Sequence, residues 1–199
     1  MSTFKYKQGI ENQIKQWEKE YNQVMKSELP GMFFLNHFNK ISVFGIQTAD
    51  CVNNKEITFN IASGVSCSFK CCPEHPEICQ NNPLCSQPIV PANIKALVNK
   101  YREQELATCI TFQGLEPLDT LSELMWFIWY LRHYTDDPVF IWTGYTEEEI
   151  QSLIELIHRM NFHNIYIKVG RFVPNQPSHI DPILGVALAS PNQYCKKIS

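Results

Sequence analysis

The feature that most constrains the fold is a regular alternation of strand and helix patterns after residue 90. Short apolar segments rich in β-branched and aromatic residues alternate with amphipathic segments that begin at capping residues. The predicted helices cover 91–103, 120–133 and 146–160, and the predicted strands cover 109–113, 139–143 and 164–170. Because a strand, a helix and a second strand usually form a right-handed crossover between parallel strands, we expect a mainly parallel α/β sheet. There are too few units for a closed eight-fold barrel, so a partial (β/α) barrel or an open curved sheet is the predicted fold.

Three local patterns define where these helices begin. Pro91 stands at a position that favours the first turn of a helix. Thr120 with Glu123, and Thr146 with Glu149, have the spacing of a capping box, in which each side chain binds the backbone of the other residue.

The first part of the chain carries a separate helical pattern. Apolar residues recur every three or four positions over 8–26, and Pro30-Gly31 is expected to end that helix. Two strands are predicted at 40–46 and 56–62, and a last apolar segment spans 183–189. The sequence therefore predicts an N-terminal helical extension over 1–39 and one α/β domain over 40–199.

Five of the eight cysteines lie in one stretch, CSFKCCPEHPEICQNNPLC, at 67–85. The stretch follows a predicted strand and contains three prolines, so it is expected to be a long loop. Loops of this length in compact domains are usually functional or disordered. Thiols in such a group could form disulfides, bind zinc or hold an iron–sulfur cluster.

The sequence also bears on which of these three uses of the thiols is expected, and on which partners are excluded. The segment MSTFKYKQGIENQIKQWEKEY lacks the apolar core of a secretory signal, so we expect a cytoplasmic protein. Reducing conditions there favour a metal or redox site over structural disulfides.

The longest apolar run, MWFIWYL at 125–131, is far shorter than a membrane span, so no membrane partner is predicted. A net charge of −3 and a pI near 6.1 give no basic face for nucleic acid.

In a parallel sheet of this kind, functional loops follow the carboxyl ends of the strands. Four predicted loops, at 64–90, 114–119, 144–146 and 171–182, are expected to converge there. The cysteine stretch is one of these loops.

The motifs in these loops carry a resemblance to a known family. CSFKC, QGLEP and IWTGYTEEE occur in order after successive strands, and the chain resembles the radical S-adenosylmethionine (SAM) superfamily. GRFVPNQ at 170–176 and LASPNQ at 188–193 are similar to the closing segment of the activating components of anaerobic ribonucleotide reductases. The resemblance covers about residues 40–198.

The resemblance implies a definite chemistry. Three cysteines hold a [4Fe–4S] cluster, and SAM binds its fourth iron through amino and carboxylate groups. The reduced cluster cleaves SAM to methionine and a 5′-deoxyadenosyl radical, which takes a hydrogen atom from a glycine of the large reductase subunit. An external one-electron reductant is also implied. Because the cluster and SAM carry the chemistry, no side chain is expected to act as a catalytic acid or base.

The family pattern assigns the metal ligands residue by residue. Cys67 and Cys71 match the first two ligands of CxxxCxxC, but Glu74 stands where the third is expected. We interpret 72–78 as an insertion, which makes Cys79 the third ligand. Cys72 and Cys85 are the less favoured candidates.

The same pattern assigns the cofactor-binding residues. Gly114 and Glu116 match the family's GGEP motif beside the methionine end of SAM, although Leu115 replaces the second glycine. Gly144 and Tyr145 match the loop that borders the cofactor. Asn192, together with Ser190 and Gln193, matches the closing segment.

Two other functions are compatible with the same residues. One is a radical SAM enzyme that acts on a small molecule. The other is a zinc-stabilised binding protein without catalysis, in which four thiols close a tetrahedral site. Its ligands would be Cys67, Cys71 or Cys72, Cys79 and Cys85, with His75 as a further candidate.

Overall fold

The structure, a computed structural model, describes residues 3–69 and 87–199, with side chains from residue 5 onwards. Within these ranges there are five α-helices and nine strands. The helices are α1 (Thr3–Lys26), α2 (Pro30–His37), α3 (Ile94–Glu103), α4 (Leu121–Leu131) and α5 (Gln151–Arg159). The strands are β1 (Lys40–Asp50), β2 (Thr58–Ser63), β3 (Val90–Asn93), β4 (Cys109–Gly114), β5 (Val139–Trp142), β6 (Ile165–Val169), β7 (His179–Ile180), β8 (Ala187–Leu188) and β9 (Tyr194–Lys197).

Seven of these strands form one sheet in the order β3-β1-β2-β4-β5-β6-β9. The four central strands, β2, β4, β5 and β6, pair in parallel. The remaining pairs, β3 with β1, β1 with β2, and β6 with β9, are antiparallel. The α/β class and the parallel centre are confirmed, but the sheet as a whole is mixed.

One face of the parallel strands is apolar and packs on the helices. Phe59, Phe112 and Ile141 alternate with residues of the other face, as the strand period of two requires. They share a continuous core with α4, which is apolar on nearly every side. We call this side of the sheet the helix face.

The N-terminal helices belong to this core. Trp17 of α1 and Phe34 of α2 are fully buried in the same cluster as the strands. α1 ends at Lys26, close to the predicted end, but Pro30 begins α2 instead of only stopping a helix. Proline suits a first helical turn, because its missing N–H would have no partner there. No helix in the described part of the chain is both long and apolar enough to cross a membrane.

One predicted helix start is wrong. A second, at Thr120, is correct, since α4 begins directly after Thr120, although its predicted capping box does not form. Pro91 lies in edge strand β3, where its missing N–H costs little, and the Asn93 side chain caps α3 by accepting from Ala96 N. Glu123 does not return to Thr120, because its carboxylate accepts from the N–H and hydroxyl of Ser42 at 2.6 and 3.0 Å.

The third predicted capping box is confirmed, although the regular helix α5 begins only at Gln151, after a turn. Thr146 N donates to Glu149 Oε2 at 3.0 Å, and Glu149 N donates to Thr146 Oγ1 at 3.4 Å. Both halves of the capping box are therefore present before α5.

The closing part of the chain differs from the prediction in detail. The apolar segment 183–189 contains only the two-residue strand β8, which pairs with β7. The edge strand of the main sheet is β9, whose sequence YCKK lacks a strong strand pattern. Its two consecutive lysines, Lys196 and Lys197, are exposed, as expected for an edge strand.

Candidate functional site

The carboxyl ends of the four parallel strands meet at one edge of the sheet, which we call the carboxyl edge. The segments that leave β2, β4, β5 and β6 there contain, in order, Cys67, Glu116, Gly144 and Arg171. Hydrogen bonds and ring contacts join these segments directly, so the three motifs from the middle of the sequence form one site.

Gly114 closes β4 against the end of β2. Its φ is +136°, and a Cβ at this position would lie 2.5 Å from the carbonyl oxygen of Ser63. No other residue fits without moving the backbone of β2. The first glycine of the QGLEP motif is therefore required by the close approach of two strands.

Glu116 connects the ends of β4 and β5. Its side chain is 1% exposed, and its carboxylate accepts from Leu118 N at 3.1 Å, Thr143 Oγ1 at 2.8 Å and Gly144 N at 2.9 Å. Burial raises the pKa of Glu116 to about 8, against the opposing effect of these three donors. A carboxylate has room for about four donors, so one acceptor position of Oε2 is not used by these bonds.

Phe69 of the CSFKC motif packs over Gly144. A Cβ on Gly144 would lie 2.7 Å from Phe69 Cε2 and 3.6 Å from Glu116 Oε2. The ring and the carboxylate thus meet around the α-carbon of Gly144. Any larger residue here would push the aromatic ring away.

Asp119 was not predicted as a site residue, yet it joins all three motifs. Its carboxylate accepts from Ser68 N at 2.6 Å, from Ser68 Oγ at 2.8 Å and from the hydroxyl of Tyr145 at 3.1 Å. The Ser66 side chain is also hydrogen-bonded to it. Burial raises the pKa of the Asp119 carboxyl, while these hydrogen bonds act in the opposite direction.

Tyr145 is buried beneath aromatic rings of two other elements. Its ring makes edge contacts with Phe69 and with Tyr6 of α1, at centroid distances of 4.5 and 5.9 Å. Burial is the main cause that raises the pKa of its phenol. The hydroxyl therefore serves as a hydrogen-bond donor to Asp119.

Arg171, at the end of β6, is a second residue that the sequence did not reveal. Its guanidinium donates to both carboxylate oxygens of Glu149 at 2.8 Å. It also lies over the rings of Tyr6 and Phe69, 4.6 and 4.4 Å from their centroids. The acidic run TEEE thus supplies both a helix cap and the partner of an arginine at the carboxyl edge.

The predicted tail residue Asn192 lies beside this arginine. Its Nδ2 donates to the backbone carbonyl of Arg171 at 2.7 Å, and its side chain is exposed. Gln193 is buried and donates to the carbonyl of Gly170 at 3.2 Å. The SPNQ segment therefore holds the end of β6 in place.

No known family, curated protein or solved structure matches the chain.

Of the five candidate metal ligands, the structure describes Cys67. It is half-buried and lies four residues beyond the end of β2 at the carboxyl edge. The other four, Cys71, Cys72, Cys79 and Cys85, lie outside the described residues. Within 3–69 and 87–199 no group of three or more His, Cys, Asp or Glu side chains is arranged to hold a metal.

The cysteines away from the loop differ in character. Cys109 and Cys195 are buried on the sheet, and burial raises the pKa of each thiol to about 12. Thiols of this kind remain protonated and unreactive near neutral pH.

The face of the sheet opposite the helix face, which we call the second face, is polar in its middle. Asn60 on β2 and Thr111 on β4 are register partners, 6% and 0% exposed. Among the residues that the structure describes, Asn60 Oδ1, Thr111 Oγ1 and, on β5, Trp142 Nε1 have no hydrogen-bond partner. Burying such groups without a partner is costly.

Proposed function

We propose that the chain is a radical SAM enzyme that acts in the cytoplasm as the glycyl-radical activase of an anaerobic ribonucleotide reductase. Its partners are the large reductase subunit, which carries the glycine, and an external one-electron reductant. In this proposal the central parallel strands form the wall of a partial (β/α) barrel, and β1, β3 and β9 extend the sheet beyond it.

The observation that carries the proposal is the joining of three distant motifs at the carboxyl edge. CSFKC, QGLEP and WTGY lie far apart in the sequence, yet hydrogen bonds join them. Glu116 of QGLEP accepts from Gly144 N of WTGY. Asp119, just after QGLEP, accepts from Ser68 N of CSFKC and from the hydroxyl of Tyr145 of WTGY. Sites of α/β proteins with parallel strands lie at this edge.

The described residues are compatible with the implied cofactors. Cys67 would be one ligand of the [4Fe–4S] cluster, with Cys71 and Cys79 as the others. Gly114, Glu116, Gly144 and Tyr145 would lie beside SAM, and the remaining acceptor position on Glu116 suits an ammonium group. Bound together, the cluster and SAM would supply the radical chemistry, with the reductant providing the electron and the glycine providing the hydrogen atom.

The chemistry of the second face favours a peptide over a charged small molecule. An acceptor on Asn60, a donor on Trp142 and the hydroxyl of Thr111 complement the N–H and C=O groups of a peptide backbone. A buried charged substrate would need an opposite charge close to it. Of the lysines on this face, Lys168 donates to the carbonyl of Gly170 at 3.1 Å, and Lys197 donates to Asn164 Oδ1 at 3.1 Å.

The test combines metal content with a direct search for the product. Protein purified and reconstituted without oxygen is expected to be brown and to hold about four irons per chain. After it is mixed with SAM, a reductant and the large subunit, electron paramagnetic resonance is expected to show a glycyl radical. SAM cleavage without that radical would instead indicate a small-molecule enzyme.

Two cysteine variants make the ligand assignment testable in the same experiment. Cys79→Ala is expected to abolish SAM cleavage, whereas the matched Cys85→Ala variant is expected to keep the cluster. A colourless wild-type protein that holds stoichiometric zinc and does not bind SAM would contradict the enzymatic function and leave the zinc-stabilised binding protein.

A further inference from the structure

We propose that Asp119 is a positioning residue that fixes Cys67 where a cluster ligand is needed. The inference rests on the proposed function, because it assigns a role toward the cluster. It concerns a residue that belongs to none of the family motifs that the sequence matches.

The contacts of Asp119 bracket the cysteine on both sides. Ser68, the next residue, gives Asp119 both its backbone N–H, at 2.6 Å, and its hydroxyl, at 2.8 Å. Ser66, the preceding residue, is bound to the same carboxylate through its side chain. The backbone of Cys67 therefore lies between two residues that both interact with the Asp119 carboxylate.

The anchor is itself fixed to the sheet. Asp119 lies in the 3₁₀ turn Pro117–Thr120, which begins directly after Glu116. The Glu116 side chain caps this turn by accepting from Leu118 N, and Tyr145 donates its hydroxyl to Asp119 at 3.1 Å. Since Glu116 and Tyr145 stand at the ends of β4 and β5, the position of Cys67 is tied to two strands besides its own.

A ligand on a loop needs this kind of support. A thiolate that leaves a strand on an unsupported loop samples many positions, and ordering the loop reduces the free energy gained on metal binding. Residues that hold a ligand from behind typically change metal affinity by about 10–100-fold when they are removed. Asp119 has the contacts expected of such a residue.

An aspartate suits this position better than its amide. One oxygen accepts from Ser68 N, and the other accepts from the hydroxyls of Ser68 and Tyr145. An asparagine offers one acceptor oxygen and an NH₂ group that can only donate. Asp119→Asn therefore keeps the shape of the side chain but loses the hydrogen bonds accepted by one of the two oxygens. Asp119→Ala loses the hydrogen bonds accepted by both.

The experiment measures the stability of the cluster without measuring activity. Reconstituted wild-type, Asp119→Asn and Asp119→Ala proteins are mixed with an iron chelator, and loss of the visible cluster absorbance is followed. We expect the rate of loss to rise about 10–100-fold in Asp119→Ala and less in Asp119→Asn. In the metal-free protein, hydrogen exchange is expected to show loss of protection at the amide of Ser68 in both variants.

Matched controls separate a local effect from misfolding. Asp136→Ala removes an exposed carboxylate on another loop and is expected to leave the rate unchanged. Far-ultraviolet circular dichroism checks the fold of each variant, and Asp119→Asn serves if Asp119→Ala does not fold. Equal rates of cluster loss in wild type and folded Asp119 variants would overturn the inference but leave the proposed function standing. A wild-type protein that takes up no cluster would overturn both.

Discussion

At the scale of single residues, Glu116 combines full burial with a carboxylate that holds two strand ends together. Its pKa is raised to about 8 from the ordinary value of 4.5, chiefly by burial. At a pH between these two pKa values, Glu116 is ionised in the unfolded chain but protonated in the folded protein. The folded state therefore loses stability relative to the unfolded state as the pH rises through this window.

We expect the Glu116→Gln variant to lack this pH dependence. From pH 4.5 to about 8 the unfolding free energy of the wild-type apoprotein should fall, relative to that of the variant, by up to about 1.4 kcal/mol per pH unit. Above that range the two profiles should run parallel. Urea denaturation at a series of pH values measures this difference, and parallel profiles throughout would show that Glu116 is ionised in the folded protein at ordinary pH.

Several site residues could be predicted from the sequence because their motifs stand directly after strands. Gly114, Glu116, Gly144 and Tyr145 all belong to short segments at strand ends, and parallel strands bring such ends together. Asp119 could not be predicted as a site residue, because what distinguishes it is a hydrogen bond with Ser68, which is 51 residues away in the sequence. No local pattern marks a carboxylate whose partner is on another loop.

At the scale of elements, the contacts of α1 show how the N-terminal segment is attached to the rest of the protein. Trp17 is fully buried and lies 5.0 Å from Tyr21 and 5.8 Å from Trp126, between ring centroids. Glu20 accepts from Trp126 Nε1 at 3.0 Å and from the hydroxyl of Ser122. α1 therefore makes both apolar and polar contacts with α4.

We expect Trp17→Ala to destabilise the whole protein by about 3–5 kcal/mol, because it leaves a cavity between α1 and α4. Lys19→Ala, on the exposed side of α1, is the matched control and should change the unfolding free energy by less than about 0.5 kcal/mol. Urea denaturation measures both variants. A small effect of Trp17→Ala on the main unfolding transition would show that α1 behaves as a separate extension.

The elements that could be predicted are those whose pattern is set by burial. β4, β5 and β6 are short apolar runs, and α4 is apolar on nearly every side, so these elements were predicted close to their observed positions. α5 was predicted as a helix but begins five residues later than expected. β3 and β9 could not be predicted, since edge strands are stabilised by pairing with a neighbour and need no continuous apolar pattern. Pro91 in β3 resembles a helix start in the sequence alone.

At the scale of the whole molecule, the two faces of the sheet have different chemistry. The helix face is mainly apolar, whereas the second face buries several polar side chains for which the described part of the chain offers no partner. Proteins often keep such unfavourable groups where a ligand uses them. The second face is therefore expected to reduce stability and to support function.

We expect Thr111→Val to make the protein more stable by about 1 kcal/mol, because no residue within 3–69 or 87–199 binds the buried hydroxyl of Thr111. Under the proposed function, the same change should raise the KM for the large subunit in the glycyl-radical assay. Thr143→Val is the matched control: its hydroxyl binds Glu116 and Tyr145 N, so its loss should destabilise the protein by about 1–3 kcal/mol. An unchanged KM in Thr111→Val would argue against a role for the second face in binding the partner.

The position of α1 also has a consequence for the order in which the protein acquires its structure during synthesis. α1 leaves the ribosome before α4 and α5, yet Gln13 binds Leu118, 105 residues later, and Glu18 binds Arg159, 141 residues later. The helix can complete its packing only after α4 and α5 have been made. Until then its apolar stripe is exposed, and contacts of this sequence separation slow the final step of folding.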